Sequence, residues 1–275
     1  MPELPETETI ARDLDAAIGG VTITGADVTR PDVLREVKAG EFVERVTGTT
    51  VLRCWRRAKL VVIDLSSDER IVVQPRFTGA LLIDAGALPE VERRYSTLSL
   101  TLADGRVLHY RDIRRLGTVA LMSPRRFEQY VSKLGIEPLD PQLSAERLSV
   151  LLRVSRQAVK KLLMDQRVLA GVGNIYANEA LWRAGIDPSR ESRTLSLGEA
   201  GRLRESLQGV LQESITARGT SFRDYRDASG ARGAFVERLA VYGRGGLPCL
   251  RCGARLVATH AVDGRSTVFC ARCQG

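Results

Sequence analysis

Four cysteines near the end of the chain carry the plainest chemistry. Cys249-Leu-Arg-Cys252 and Cys270-Ala-Arg-Cys273 form two CxxC pairs with seventeen residues between them. Thiolates are soft donors, and two such knuckles at this separation close a tetrahedral site on Zn²⁺. A redox role uses a single CxxC at a helix start in a thioredoxin-like fold, a poorer match to this spacing. Four thiolates fill the coordination sphere, so one structural zinc per chain is expected. His260 is surplus to that set. The fifth cysteine, Cys54, sits in the strand-like run VLRCWRR and reads as a small buried side chain.

Between Val241 and Gly275 five arginines face one acid, Asp263. So small a unit with that excess belongs on phosphates, the zinc holding the geometry and arginine supplying the contacts. Arg265, just ahead of the second knuckle, stands to grip a phosphate or enter a groove.

The other end of the chain offers a nucleophile. Removal of Met1, which a small second residue permits, leaves Pro2 as a secondary amine. Its conjugate acid titrates near the α-amino value of about 8, so free amine exists at neutral pH. The positive end of a helix starting there disfavours protonation further. Attack of such an amine on a sugar C1′ gives an iminium already charged for β-elimination, with Glu3 adjacent to move the proton. Taken alone, Pro2 and Glu3 also read as the ordinary opening of a helix.

The elements that must position these groups follow from periodicity. Ile10, Leu14 and Ile18 recur at helical spacing behind Pro2 and Pro5, predicting a short amphipathic helix. From Val21 to about Met122 the runs VTITGADV, KLVVIDL, RIVVQ and STLSLTL are strand-like, with a hairpin signal at Ala103-Asp104-Gly105. This half reads as a β-sandwich or barrel. From Pro124 to Arg218 the period is helical, in EQYVSKLG, AERLSVLLR, QAVKKLLMD, NIYANEALWRAG and a long segment from Leu197 to Ala217. SFRDYRDASGARGAF then reads as a mobile loop ahead of the cysteine hairpin. Three consecutive domains are expected, at 1–123, 124–238 and 239–275.

The 275 residues are 44% hydrophobic, enough for real cores, and the net charge of +8 favours a polyanionic partner, nucleic acid ahead of an anionic membrane. The acidic N-terminus is unlike a signal peptide and no run is long enough to span a membrane, so a cytoplasmic location is expected. With only His109 and His260 and no HExxH spacing, a histidine-based or metal-water hydrolase is disfavoured.

Four separated segments resemble one family: MPELPETETI at the start, RRAK at Arg56 to Lys59, LMDQRVLAGVGNIYANEAL, and VYGRGGLPCLRCG with GRSTVFCARCQG at the end. In this order, through nearly the whole chain, they resemble formamidopyrimidine-DNA glycosylase, of the group shared with endonuclease VIII. The resemblance implies an α+β architecture: an N-terminal β-sandwich with its helix, a helical domain with a helix-two-turn-helix motif, and a zinc-binding β-hairpin, with DNA bound between. It implies a monomeric bacterial base-excision-repair enzyme that acts on double-stranded DNA near the nucleoid. Its activity would be removal of oxidised purines such as 8-oxoguanine and formamidopyrimidines, followed by β,δ-elimination at the abasic site.

By that resemblance Pro2 is the imine-forming nucleophile, Glu3 the catalytic carboxylate and Lys59 a lysine that assists elimination. Asn174 in the GVGN loop and Arg265 match phosphate contacts flanking the lesion. Lys160, Tyr176, Glu179 and Tyr242 match further positions near the DNA. An everted base leaves a gap to be filled. The family fills it with methionine, arginine and phenylalanine; here the positions are Phe77, Arg114 and Leu116. Arg114 offers donors only, which suits the acceptors of an orphaned cytosine. Gln74 replaces the family's phosphate-binding histidine. The loop from Thr220 to Gly233 aligns with the part that covers an everted 8-oxopurine. The altered plug keeps open an endonuclease VIII-like preference for oxidised pyrimidines, and a non-enzymatic module that binds damaged DNA is the alternative from another class.

Overall fold

The computed structural model describes residues 2–221 and 225–275. Met1 and its removal lie outside the described residues, as do Phe222, Arg223 and Asp224 of the loop. The chain forms two compact units, residues 1–132 with 217–236, and residues 133–216 with 237–275.

Unit 1 opens with helix α1 (Leu4–Ile18), and nine strands follow: β1 (Ile23–Asp27), β2 (Leu34–Arg35), β3 (Val51–Arg57), β4 (Leu60–Leu65), β5 (Arg70–Gln74), β6 (Gly79–Asp84), β7 (Ser96–Leu102), β8 (Val107–Asp112) and β9 (Thr118–Met122). Helices α2 (Ala39–Val46), α3 (Glu90–Arg93) and α4 (Pro124–Val131) complete it. The strands build a four-stranded sheet, β1-β7-β8-β6, and a five-stranded sheet, β2-β9-β5-β4-β3.

One apolar core takes Leu81, Leu98, Leu100, Leu108 and Tyr110 from the first sheet, Val61, Ile63, Ile71, Val73 and Leu121 from the second, and Ile10, Leu14 and Ile18 from α1. The period-four stripe of α1 is therefore what docks it; burying each such side chain contributes about 1.5–3 kcal/mol. The alternate residues Leu60, Val62, Val72, Ala120 and Met122 form a second cluster with Phe127 of α4. Two buried faces explain why β4 and β5 read as unbroken apolar runs. The signal at Ala103-Asp104-Gly105 is the β7–β8 turn, with Gly105 at φ +88.

Unit 2 holds α5 (Ala145–Arg153), α6 (Val159–Leu163), α7 (Asn174–Ala184), α8 (Leu197–Thr216) and the hairpin β10 (Val257–Thr259) with β11 (Thr267–Phe269). Ser144 caps α5 by accepting from the Arg147 N–H at 3.1 Å, and α7 stops at Gly185, φ +69.

Residues 124–132, which periodicity groups with the helical segment, and residues 217–236, which the expected boundary at 238 assigns to the same domain, pack instead in unit 1. Side-chain chemistry gives the reason for the returning segment. The Thr220 N–H donates to Glu6 of α1 at 2.8 Å, Arg218 bridges Asp13 and Asp227, and the Ile83 N–H of β6 donates to the Ala228 carbonyl at 3.0 Å. No helix among the described residues is long and apolar enough to cross a membrane.

Candidate active site and metal centre

In unit 1 the start of α1 and the β3–β4 turn are fastened together. Glu3 is the N-cap of α1, and its backbone N–H donates to Glu6 Oε2 at 2.8 Å. Thr7 Oγ1, bonded to the Glu3 carbonyl at 2.8 Å, also lies 3.3 Å from the Ala58 carbonyl. Arg56 of β3 donates to Glu8 of α1 at 2.7 Å and to the Ala58 carbonyl at 3.2 Å. Burial pushes the Glu8 carboxyl up, but Arg56 and Arg12 prevail and hold it below the usual range. Arg57 pairs with Leu60, so Ala58 and Lys59 are the two turn residues. Pro2 and Glu3 are buried and Lys59 is half-buried beside the Ala58 tie. The helix macrodipole places partial positive charge at this end of α1.

Three non-glycine residues with positive φ stand at the candidate positions: Ala58 (54°) before Lys59, Arg76 (51°) before Phe77, and Arg115 (52°) between Arg114 and Leu116. Such conformations cost about 1 kcal/mol or more and persist where surroundings over-determine them. The surroundings here are a buried polar rivet. Thr78 accepts from the Arg114 N–H at 3.0 Å and donates to Asp112, whose other oxygen accepts from the Gly117 N–H at 2.8 Å. The β5–β6 turn carrying Phe77 and the β8–β9 loop carrying Arg114 and Leu116 are thereby joined, and Arg114 stacks over Phe77. Phe77 and Leu116 are 47% and 40% exposed, apolar side chains that the core does not take up. Gln74 is half-buried at the end of β5 and accepts from Arg76 Nε at 3.3 Å.

In unit 2 the four cysteine sulfurs lie within 4.8 Å of one another. Tetrahedral thiolate coordination at about 2.3 Å per bond requires a cluster of about this size, so the set fits Zn²⁺. The zinc is structural, and no coordination position is left for chemistry. One face of α7 holds the hairpin. Asn174 Nδ2 donates to the Ser266 carbonyl at 3.0 Å, Asn178 Oδ1 accepts from the Val268 N–H at 2.8 Å, and Trp182 Nε1 lies 3.4 Å from Cys249 Sγ. These residues are spaced by four, one above another on a helix. The wholly buried Glu179 accepts from the N–H groups of Ala240, Val241 and Tyr242 at 2.8 to 2.9 Å. Burial raises its carboxyl above the ordinary value against the pull of those three donors.

Two expected DNA contacts are inside the unit instead. Lys160 is fully buried, its ammonium bonded to Asp263 at 3.3 Å and Thr267 at 2.8 Å. Tyr176 is fully buried with its hydroxyl 2.6 Å from Ser214. Desolvated and engaged, these groups brace the hairpin and the α7–α8 packing rather than face solvent. Tyr242 is half-buried, with its backbone on Glu179. Arg265, exposed, lines a cavity of about 400 Å³ with Lys161, Met164 and Arg167. Sequence reasoning missed Thr78, Asp112, Glu6, Asn178 and Asp263; only the period-four spacing of Asn178 on α7 signals any of them.

Residues 1–119 match the formamidopyrimidine-DNA glycosylase N-terminal domain, residues 134–226 the formamidopyrimidine-DNA glycosylase H2TH domain, and residues 246–275 the zinc finger found in FPG and IleRS. The chain is 40% identical over 276 residues to a formamidopyrimidine-DNA glycosylase of Pelotomaculum thermopropionicum, covering 100% of this chain and 99% of that one. It is also 40% identical to one of Heliobacterium modesticaldum, covering 100% of each. Its fold is similar to that of a Lactococcus lactis FPG mutant in complex with a Fapy-dG containing DNA, at a TM-score of 0.91, 33% identity and 99% coverage of both chains. The wild-type Lactococcus lactis protein bound to an oxidised pyrimidine containing DNA is similar at a TM-score of 0.90, 32% identity and 99% coverage of both.

Proposed function

This chain belongs to the formamidopyrimidine-DNA glycosylase family, and from that premise we propose that it excises oxidised purines from duplex DNA through Pro2 and then cleaves the abasic strand. The observation that carries the reading is the fastening of the β3–β4 turn to the start of α1, which gathers Pro2, Glu3 and Lys59 at one end of a helix.

With Met1 removed, the Pro2 amine attacks C1′ of the everted nucleotide. The N–C1′ bond forms as the bond from C1′ to the base breaks, and the base leaves with the electron pair and takes a proton. The amine then gives up its own proton as the C1′–O4′ bond opens, O4′ takes a proton and the nitrogen lone pair forms the iminium, and Glu3 is the adjacent carboxylate to carry the proton from the amine to O4′. The iminium acidifies C2′–H; loss of that proton expels the 3′ phosphate, and a second elimination expels the 5′ phosphate. Lys59, a cation at the same end of α1, stabilises the developing negative charge of the leaving groups. Phe77, Arg114 and Leu116 fill the gap left by the everted base, and the loop 220–233 covers that base. Asn174 and Arg265 bind phosphates flanking the lesion, Gln74 adds a neutral contact, and the enzyme acts as a monomer.

Borohydride reduction of the imine tests this. Protein incubated with a duplex bearing 8-oxoguanine opposite cytosine is expected to yield an adduct on the Pro2 peptide. An adduct formed only with an oxidised pyrimidine would move the substrate to that class, the lesion type in the DNA bound by the wild-type Lactococcus protein. A processed N-terminus with tight DNA binding and no adduct would leave a non-enzymatic module.

A further inference from the structure

The two ends of the segment 217–236 meet as a neck built from backbone. The Ala234 N–H donates to the Ala217 carbonyl at 2.9 Å and the Phe235 N–H to the Gly219 carbonyl at 3.1 Å. The crossing is tight: a Cβ on Gly233 would stand 2.2 Å from the Gly219 carbonyl oxygen and 2.4 Å from that of Arg218. With the Thr220 N–H on Glu6 at 2.8 Å, the neck is closed and tied to α1 without any side chain at position 218.

Arg218 nevertheless stands there at φ 61°, in the left-handed region that suits glycine and disfavours a side chain. Its guanidinium joins two carboxylates. Nη2 donates to Asp13 of α1 at 2.6 Å, and Nε donates to Asp227 at 2.9 Å. Asp13 and Glu6 are seven residues apart, so both anchors lie on one face of α1. Asp227 is buried, and its other oxygen accepts from the N–H groups of Ser229 and Ala231 at 3.0 and 2.8 Å and from the Ser229 hydroxyl at 2.7 Å. The Arg218 carbonyl accepts from the Tyr225 hydroxyl at 3.1 Å. One side chain thus connects the helix that begins beside Pro2 and Glu3 to the turn 227–231 beyond the neck. A strained conformation kept where glycine would fit, in a neck already closed by backbone, points to a task for the guanidinium other than folding.

We propose that Arg218 is a positioning residue for base release: by clasping Asp13 and Asp227 it holds the turn 227–231 in register with α1, and hence with the nucleophile. The inference rests on the reading of residues 220–233 as the cover of the everted base. A group that holds the base acts only while a base is attached. Elimination at a site that has already lost its base proceeds through Pro2 and the neighbouring residues without it. The clasp therefore separates the two reactions, affecting release of the base and leaving cleavage of an abasic strand alone. Precise placement of a bound group relative to a nucleophile is what such a tie supplies, and small displacements are costly to the rate.

The test measures single-turnover base release from a duplex bearing 8-oxoguanine opposite cytosine, and strand cleavage of the same duplex carrying a preformed abasic site, with full-length zinc-bound protein. Arg218→Gly is expected to slow base release about tenfold and to leave abasic cleavage within about twofold of wild type. Its Tm should change little, because relief of the backbone offsets loss of a half-exposed ion pair. Arg218→Lys, which keeps the cation but not the fork, should recover part of the rate. Asp13→Asn, which leaves Arg218 on Asp227, should show the same split more weakly. Base release at the wild-type rate in Arg218→Gly would overturn the proposal, and so would equal losses in both reactions, the mark of a merely structural residue. A full rate in Asp13→Asn would remove the tie to α1 on which it depends. A wild-type protein that cleaves abasic strands but releases no oxidised purine would sink the substrate reading itself, whereas normal release by wild type and variants alike removes this inference alone.

Discussion

The guanidinium of Arg114 lies 5.3 Å from the centroid of the Phe77 ring. The two residues come from different loops, and the Thr78 hydroxyl that accepts from the Arg114 N–H is adjacent in sequence to Phe77. The aromatic face therefore holds the arginine that the proposed mechanism assigns to the orphaned base. Exposed cation–π pairs contribute about 0.5–1 kcal/mol. Phe77→Ala is expected to lower the preference for cytosine opposite the lesion about two- to fivefold, and Phe77→Tyr to preserve it. Excision rates against the four opposite bases decide this, and full preference in Phe77→Ala would show the stack to be idle.

Gly117 has no room for a side chain. A Cβ there would stand 1.9 Å from the Tyr110 hydroxyl oxygen and 2.7 Å from the Gln74 carbonyl. Gly117→Ala is expected to destabilise unit 1 by about 2 kcal/mol or more, and adding Tyr110→Phe to recover part of the loss. Urea unfolding of the single and double variants measures the coupling; strictly additive effects would place the strain elsewhere.

Glu199 accepts from the Ser196 N–H at 2.8 Å, and the Glu199 N–H donates back to Ser196 at 3.3 Å, a capping box at the start of α8. The bond from Arg190 pulls its carboxyl down to about 2, against a smaller upward push from burial. A carboxyl lowered on folding contributes stability above its ordinary value of 4.5, lost as pH falls toward about 2. Glu199→Gln should cost no more than about 1 kcal/mol at pH 7, given its partial exposure. The Tm difference from wild type should narrow between pH 5 and pH 3. A difference independent of pH would mean that the charge contributes nothing.

Cys270→Ser is expected to lose zinc and DNA affinity together, because the energy of metal binding is also folding energy for the hairpin. Metal content and binding of an abasic duplex are the paired readouts. Retained affinity in the zinc-free variant would disconnect the hairpin from DNA.

Arg265→Ala should reduce the salt slope of log K by about one, as for one phosphate contact. Its guanidinium is exposed and its backbone N–H is tied to Asp263 at 3.0 Å, so the truncation leaves the turn intact. An unchanged slope would remove it from the phosphate grip.

The parts legible in the sequence are those governed by local physics. Pro124, Ser144, Gly105 and Gly185 mark caps and turns because the reason for each lies within a few residues. The cysteine knuckles are legible because ligand spacing is itself a constraint. The Thr78–Asp112 rivet is not, since its partners are 34 residues apart and neither residue type is unusual for a strand end. Lys160 reads as a solvated helix lysine until Asp263, 103 residues on, is brought beneath it. Residues 217–236 follow a helix in sequence and so read as a loop of the helical domain, although hydrogen-bond partners of this segment are Glu6, Asp13 and Ile83.

That return of the chain bears on synthesis. Both sheets leave the ribosome well before residue 217, but the segment that bonds to Glu6 and Ile83 follows only after α5 to α8 have been made. At roughly 5–20 residues per second, the nascent unit waits several seconds for its last piece. A product truncated within α8 has α1 and the strands but lacks the donor from Thr220 that completes the surroundings of Glu6. Completion of the N-terminal unit is thereby tied to translation of most of the chain.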